Sequence, residues 1–244
     1  MSNPYDLSGE QAPSRPAPAR SPAQAFSPGT LSYAPPTLAP IRHNGKRALV
    51  AIVFIYVLVG LHVLQLPLEA WDYAQFNASD ADTLTQAQVD RLVAAYTVVG
   101  VLYALGLLGW LIAFLMWQYR AVKNARIVSG DSRSGPGMSV AWWFIPIANL
   151  FMPWLVLRDL WARTVRSTSP VAGAFWLLWL AGSIAATIAE GMYGRAVEAF
   201  DNDSARTSIY ITVLSLLLSI ASWLVLAYFV RTVQRVQGPH EYSA

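Results

Sequence analysis

Four long runs of apolar residues, none with an acidic, lysine or arginine side chain, recur along the chain. They cover residues 48–67, 96–117, 171–189 and 208–230. A helix rises about 1.5 Å per residue, so about 20 residues cross the roughly 30 Å hydrocarbon core of a bilayer. Because a backbone in lipid must satisfy its own hydrogen bonds, such runs form helices. The pattern predicts an all-α membrane protein with four transmembrane helices.

Basic residues divide unevenly among the segments outside these runs. The first segment, the segment between the second and third runs, and the last segment hold 14 of the 17 lysines and arginines, and the other two loops hold 3. Lysine and arginine are retained on the cytoplasmic side, whereas acidic residues contribute little to orientation. The pattern therefore predicts two in-out-in hairpins with both termini in the cytoplasm.

The apolar runs also divide the chain into regions. Residues 1–40 contain nine prolines, a composition that favours disorder because it cannot bury enough apolar surface. We therefore expect a disordered, Pro-rich cytoplasmic tail at 1–40, a transmembrane domain at 41–236 and a cytoplasmic tail at 237–244. Extended proline-rich segments bind aromatic grooves, so the first tail is a candidate contact for a protein partner.

The segment between the second and third spans, residues 138–166, is unusually rich in tryptophan. A fifth span there would place Arg158 outside the cell and two prolines in the middle of the membrane. Two interpretations remain open. In the first, Trp142 to Asn149 enters the inner leaflet and breaks near the prolines, and an amphipathic helix from Pro153 then runs along the inner interface. In the second, the whole segment lies on that interface. In the amphipathic helix Trp154, Leu157 and Trp161 share one face.

The same segment carries a family resemblance. The run from Trp143 to Asn149, then Pro153, then the run from Arg158 to Trp161, resembles the signature of the DUF4328 family of actinobacterial membrane proteins. Upstream residues resemble that family's exit from the preceding span, and the similarity covers roughly residues 48–236. It implies a multi-pass protein of the bacterial inner membrane and no particular activity. The resulting candidate functional motif is Trp117, Arg120, Asn124, Trp142, Trp143, Pro146, Asn149, Pro153, Arg158, Asp159 and Trp161.

Polar groups within or beside the spans are few. His62 lies inside the first span, and Glu190, at the outer end of the third, is its candidate partner. The acidic loop from Asp72 to Asp90 is a candidate for weak calcium binding, but it lacks the alternating ligand spacing and central glycine of a dedicated loop, so a solvated acidic face is expected. Small residues in the third span, among them Gly182 and Ala185, predict that this span is central to the bundle.

The sequence contains none of the common catalytic or cofactor-binding motifs. It has no cysteine, no phosphate-binding glycine loop, no zinc-ligand spacing and no nucleophile elbow. We therefore expect no catalytic residues, no metal, no cofactor and no nucleic-acid partner. The favoured hypothesis is a non-enzymatic scaffold or partner subunit that contacts the lipid bilayer, and a protein partner through its Pro-rich tail or amphipathic helix, with homo-oligomerisation open. The alternative is a small oligomeric transporter or channel subunit whose path is lined by Asn149 and the broken aromatic segment.

Overall fold

The structure, a computed structural model, describes residues 43–78, 86–129, 134–199 and 202–238. These residues are mostly helical and contain no strand. Six α-helices occur in the order α1 (Gly45–Ala78), α2 (Gln86–Ser129), α3 (Pro136–Ala141), α4 (Met152–Val165), α5 (Val171–Ala199) and α6 (Asn202–Gln237), with one 3₁₀ turn, Ala148–Leu150, before α4. The predicted disordered tail at 1–40, and nearly all of the tail at 237–244, lie outside the described residues.

The four predicted spans lie within α1, α2, α5 and α6. These helices are long and apolar enough to cross a membrane, with mean hydropathies of 2.5, 2.4, 1.8 and 2.3. Among the described residues, the predicted all-helical class and its four long apolar candidate spans are thus confirmed. Each helix extends beyond its apolar run, and α1 continues through Pro67 to Ala78. Transmembrane helices tolerate proline because neighbouring groups satisfy the freed backbone carbonyl.

Helix α6 has the central position in the bundle, packing along both α5 and α1 and also reaching α2 and α4. The prediction that the third span, α5, is central was wrong. The small residues of α5 do allow a close approach: a Cβ atom on Gly182 would lie 3.1 Å from the Ser219 hydroxyl of α6. They line only one face, however, and the opposite face of α5 leaves Leu177 and Ile184 exposed.

The chain between α2 and α5 packs against one end of the bundle, which we call the aromatic end. There α3 lies against α2, and α4 contacts α2, α5 and α6. Helix α4 is amphipathic, as predicted, but its apolar residues Leu157 and Trp161 are buried against the protein's own helices. The prediction that this face lies on the membrane interface was wrong, because the three long helices cover it.

Candidate functional site at the aromatic end

Trp143 is wedged between α2 and α5. Its indole nitrogen donates a hydrogen bond to Gln118 Oε1 over 3.0 Å, and the Gln118 amide donates to the Ser139 carbonyl over 2.9 Å. Gln118 is completely buried, so both polar ends of its side chain are satisfied away from water. The ring centroid of Trp143 lies 5.6, 6.3 and 6.2 Å from those of Phe114, Trp110 and Trp176. Aromatic contacts thus link the segment to two of the long helices.

Trp117 and Trp161 meet on a shared aromatic neighbour. Their ring centroids lie 6.3 and 5.4 Å from that of Phe229 in α6. Both rings are buried, and neither indole N–H has a hydrogen-bond partner among the described residues. Asn44, just before α1, donates to the Trp117 carbonyl over 3.1 Å. Residues from four parts of the chain therefore converge here.

The upstream members of the motif, Arg120 and Asn124, lie one and two turns after Trp117 on α2. Asn124 is buried and Arg120 is half-buried. On the same helix, the Ala121 carbonyl accepts a hydrogen bond of 3.0 Å from Gln237 at the end of α6. The same Gln237 amide also contacts the Thr164 hydroxyl of α4 at 3.3 Å. This polar contact joins α2, α4 and α6.

Several hydrogen bonds fix the conformation of the turn between α3 and α4. The Trp142 indole donates to the Ser134 hydroxyl over 3.2 Å, and the backbone N–H of Asn149 donates to the Ile145 carbonyl over 2.7 Å. From α5, Trp176 donates to the Leu150 carbonyl over 3.0 Å. Pro146 is exposed within this turn.

Pro153 is buried in the first turn of α4. At that position the missing N–H costs nothing, because the first helical N–H groups have no partner within the helix. The proline therefore helps α4 to begin here.

Two charged members of the motif, Arg158 and Asp159, lie on α4 and face away from the aromatic core. Arg158 is exposed, and its guanidinium lies 5.2 Å from the centroid of the Trp154 ring. Asp159 accepts a hydrogen bond of 2.9 Å from Arg163, one turn later on α4. Arg158 thus has an aromatic partner and Asp159 an ionic partner within α4.

The structure therefore divides the predicted motif. Its members Trp117, Trp143 and Trp161 are joined through phenylalanines, whereas Pro146 and Arg158 lie on the surface. The motif omitted Gln118 and four further tryptophans of the cluster. These are Trp110, Trp176, Trp179 and Trp223, of which Trp110 and Trp223 have ring centroids 4.7 Å apart. The spacing of Trp110, Phe114 and Trp117 on α2 is a signal that would have identified one side of this cluster.

A cavity of about 150 Å³ lies between α2, the turn after α3 and α4. Its walls are mostly apolar side chains. Asp159, Arg163 and Ser134 also line it, and its other lining residues are Val122, Ala125, Trp142, Met152, Leu155, Val156 and Leu160.

At the other end of the bundle the predicted polar pair does not form. The His62 ring is bonded through Nδ1 to the Leu58 carbonyl over 2.8 Å and packs edge-on against Tyr103, with centroids 5.0 Å apart. Glu190 is exposed on α5. The structure does not bring the two side chains together, because His62 faces α2 and Glu190 faces away from the bundle.

Two carboxylates that sequence reasoning placed outside the spans are buried instead. Glu69 is 8% exposed and Asp72 is 7% exposed, both near the C-terminal end of α1. The expectation that Asp72 belongs to a solvated acidic loop was wrong, because α1 continues past Pro67 and carries both residues into the bundle. Residues 79–85 of that loop lie outside the described residues.

Comparison with known proteins identifies the family but supplies no function. No curated protein and no solved structure matches the chain. Residues 80–237 match the family described as "Domain of unknown function (DUF4328)". The match covers α2 to α6 with the whole aromatic end, and it begins after α1. Because it spans more than half of the sequence, the chain belongs to the DUF4328 family.

Proposed function

We propose that this chain is a non-enzymatic scaffold or partner subunit of the bacterial inner membrane, with two in-out-in hairpins and both termini in the cytoplasm. The 14-to-3 division of basic residues supports this orientation. The lack of any catalytic motif in the sequence supports the non-enzymatic role. In this orientation the aromatic end faces the cytoplasm.

The aromatic segment, in this proposal, enters the inner leaflet. Trp143 packs on Trp110, which precedes Arg120 by ten residues in α2, or about 15 Å of helix. Trp110 in turn contacts Trp223, which precedes Arg231 by eight residues in α6, or about 12 Å. If the two arginines mark the membrane surface, both helices give nearly the same depth for Trp143. This agreement favours the re-entrant interpretation over the interfacial one.

One observation carries the proposed role: the turn presents an apolar surface that the rest of the described chain does not cover. Ile147 is 80% exposed, and four neighbouring side chains, Phe144, Ile145, Leu150 and Phe151, are exposed as well. We call these five residues the apolar tip. Hydrogen bonds and the Trp143 contacts hold the backbone beside it. Since helices associate in lipid through close packing of complementary shapes, a firmly held apolar tip suits the docking of a transmembrane helix from a partner protein.

Site-specific photo-crosslinking in intact membranes tests this role. A photoreactive phenylalanine at Ile147 is expected to form adducts with a discrete protein. The same probe at Leu177 is a matched control, because Leu177 is exposed on α5 beside Trp176 and so lies at a similar depth. It is expected to form adducts with lipid alone. Lipid adducts at both positions would contradict the docking role. Purification in nanodiscs then identifies the partner.

The orientation has its own test. A reporter fused after Arg166 is expected to be inaccessible from outside intact cells. Labelling of that reporter by an impermeant reagent would overturn both the orientation and the placement of the aromatic segment in the inner leaflet.

A second candidate function is an oligomeric transporter or channel subunit. One observation favours it: the side-chain oxygen of Asn149 is buried with no hydrogen-bond partner among the described residues. A path lined by the turn would use this acceptor. Loss of solute flux in proteoliposomes on Asn149→Ala, with normal insertion, would support transport. Equal flux with and without the substitution would exclude this path.

A further inference from the structure

We propose that the cavity between α2, the turn after α3 and α4 binds a small organic carboxylate whose apolar part has about six carbon atoms. The cavity has a volume of about 150 Å³. Apolar protein cavities of about 150 Å³ stay dry and hold a molecule the size of benzene. Voids larger than a water molecule are few in a packed interior, so this one is a candidate binding site. The proposal does not depend on the scaffold role, which rests on the apolar tip.

The floor of the cavity is apolar and buried. Val122 and Ala125 of α2 are each 4% exposed, and Leu160 of α4 is 2% exposed. The polar side chains beside this floor are bonded to each other, since the Trp142 indole donates to the Ser134 hydroxyl. A stably bound water needs several polar partners. The floor therefore favours an apolar group over water.

The mouth of the cavity is charged. Asp159 and Arg163 are each 24% exposed, so they form the side that solvent reaches. Their ion pair uses Arg163 Nε, at 2.9 Å. A guanidinium carries further N–H donors on its terminal nitrogens, and those of Arg163 make no hydrogen bond within the described part of the chain. Arg163 can therefore bind a second carboxylate while it keeps Asp159.

The charge around the mouth indicates the sign of the ligand. Arg126 Nη1 would lie 3.6 Å from a Cβ atom on Gly135, the residue that follows Ser134 of the lining. Residues 118–170, which supply the whole lining, hold seven basic side chains and two acidic ones. An excess of one charge around a cleft attracts ligands of the opposite charge. A cationic mouth above an apolar floor thus matches a carboxylate on a short apolar body.

The position of the cavity favours a soluble ligand over a lipid. In the orientation proposed above, Arg120 marks the membrane surface on α2. Val122 and Ala125 follow it by two and five residues, or about 3 and 8 Å of helix toward the cytoplasm. An acyl chain would have to leave the hydrocarbon layer to reach this floor. The ligand therefore enters from the aqueous side.

Ligand-observed fluorine NMR tests the proposal on the full-length protein in nanodiscs of neutral lipid. The probes are para-fluorophenylacetate, its neutral amide and the cation para-fluorobenzylammonium, with protein-free nanodiscs as the blank. We expect saturable line broadening of the acid beyond that of the blank. The amide and the ammonium compound should bind at least about tenfold more weakly, because they lack the charge that pairs with Arg163.

Two variants test the floor and the mouth separately. Ala125→Leu places a larger side chain in the cavity and should weaken binding of the acid at least about tenfold. Its matched control is Ala104→Leu, which changes an exposed residue of the same helix and should leave binding unchanged. Asp159→Asn removes the acidic group beside Arg163 and nearly keeps its shape. It should tighten binding of the acid about three- to tenfold, and it tests the site even if Ala125→Leu does not fold.

Three results would overturn the proposal. The first is broadening of the acid no greater than in protein-free nanodiscs, and the second is binding of the amide or the ammonium compound as tight as that of the acid. The third is an unchanged affinity for the acid in folded Ala125→Leu or in Asp159→Asn. None of these results bears on the scaffold role, which is tested by crosslinking at Ile147.

Discussion

Substitution of Trp143 should be among the most damaging single changes at the aromatic end. Trp143→Phe keeps a ring but removes the donor to Gln118, whose oxygen then stays buried without a partner, at a cost of about 1–2 kcal/mol. Trp143→Ala also removes three aromatic contacts, each worth about 0.5–1.5 kcal/mol beyond buried area. These contributions add to about 2.5–6.5 kcal/mol, a range that includes the usual cost of about 3–5 kcal/mol for truncating a tryptophan in a core.

The measurement is the free energy of unfolding in mixed micelles of mild detergent and SDS, followed by circular dichroism. A double-mutant cycle with Trp143→Phe and Gln118→Met isolates the hydrogen bond between the two side chains. We expect a coupling energy of about 1 kcal/mol, because the second substitution removes the acceptor that the first leaves unpaired. If Trp143→Phe leaves the free energy of unfolding unchanged and the cycle shows no coupling, the Gln118 side chain has another hydrogen-bond partner. That result would contradict the Trp143–Gln118 hydrogen bond.

Three further predictions concern packing, depth and surface charge. Gly182→Val should lower the free energy of unfolding by about 1–3 kcal/mol, because the new side chain meets Ser219. Gly100→Val, whose new side chain meets open space, is the control, and an equal loss would contradict the close α5–α6 approach. Because the chain has no cysteine, a fluorophore attached to Ile147→Cys reports the depth of that residue in the membrane. Lipid-borne nitroxides should quench its fluorescence and aqueous iodide should not. Quenching by iodide alone would contradict the re-entrant placement. Asp159→Asn should lower the free energy of unfolding by less than about 0.5 kcal/mol in the same assay, since partly exposed ion pairs within a helix contribute little to stability. A loss above about 1 kcal/mol would contradict this expectation and show that the Asp159–Arg163 pair stabilises the fold.

Sequence reasoning succeeded where one local property decided the outcome. Lengths of charge-free sequence predicted the four long helices, and helical spacing predicted an amphipathic α4. It failed at Asp72, because the expected loop after Pro67 is helical for another 11 residues. The pairing of His62 with Glu190 failed because depth in the membrane says nothing about which way a side chain points around its helix.

The amino-acid sequence alone was enough to predict the all-helical class and the four long apolar helices, because the cost of burying charge and backbone polar groups in lipid acts on each segment separately. The motif between Trp143 and Trp161 was enough to identify the family. Only the tertiary structure decided which helix is central, which face of α4 is covered, and how Trp143 and Gln118 meet. It also brought Tyr96 and Tyr193 to the two carboxylates of α1. Such contacts depend on the rotation and crossing of helices that are far apart in the chain, and no single segment carries that information.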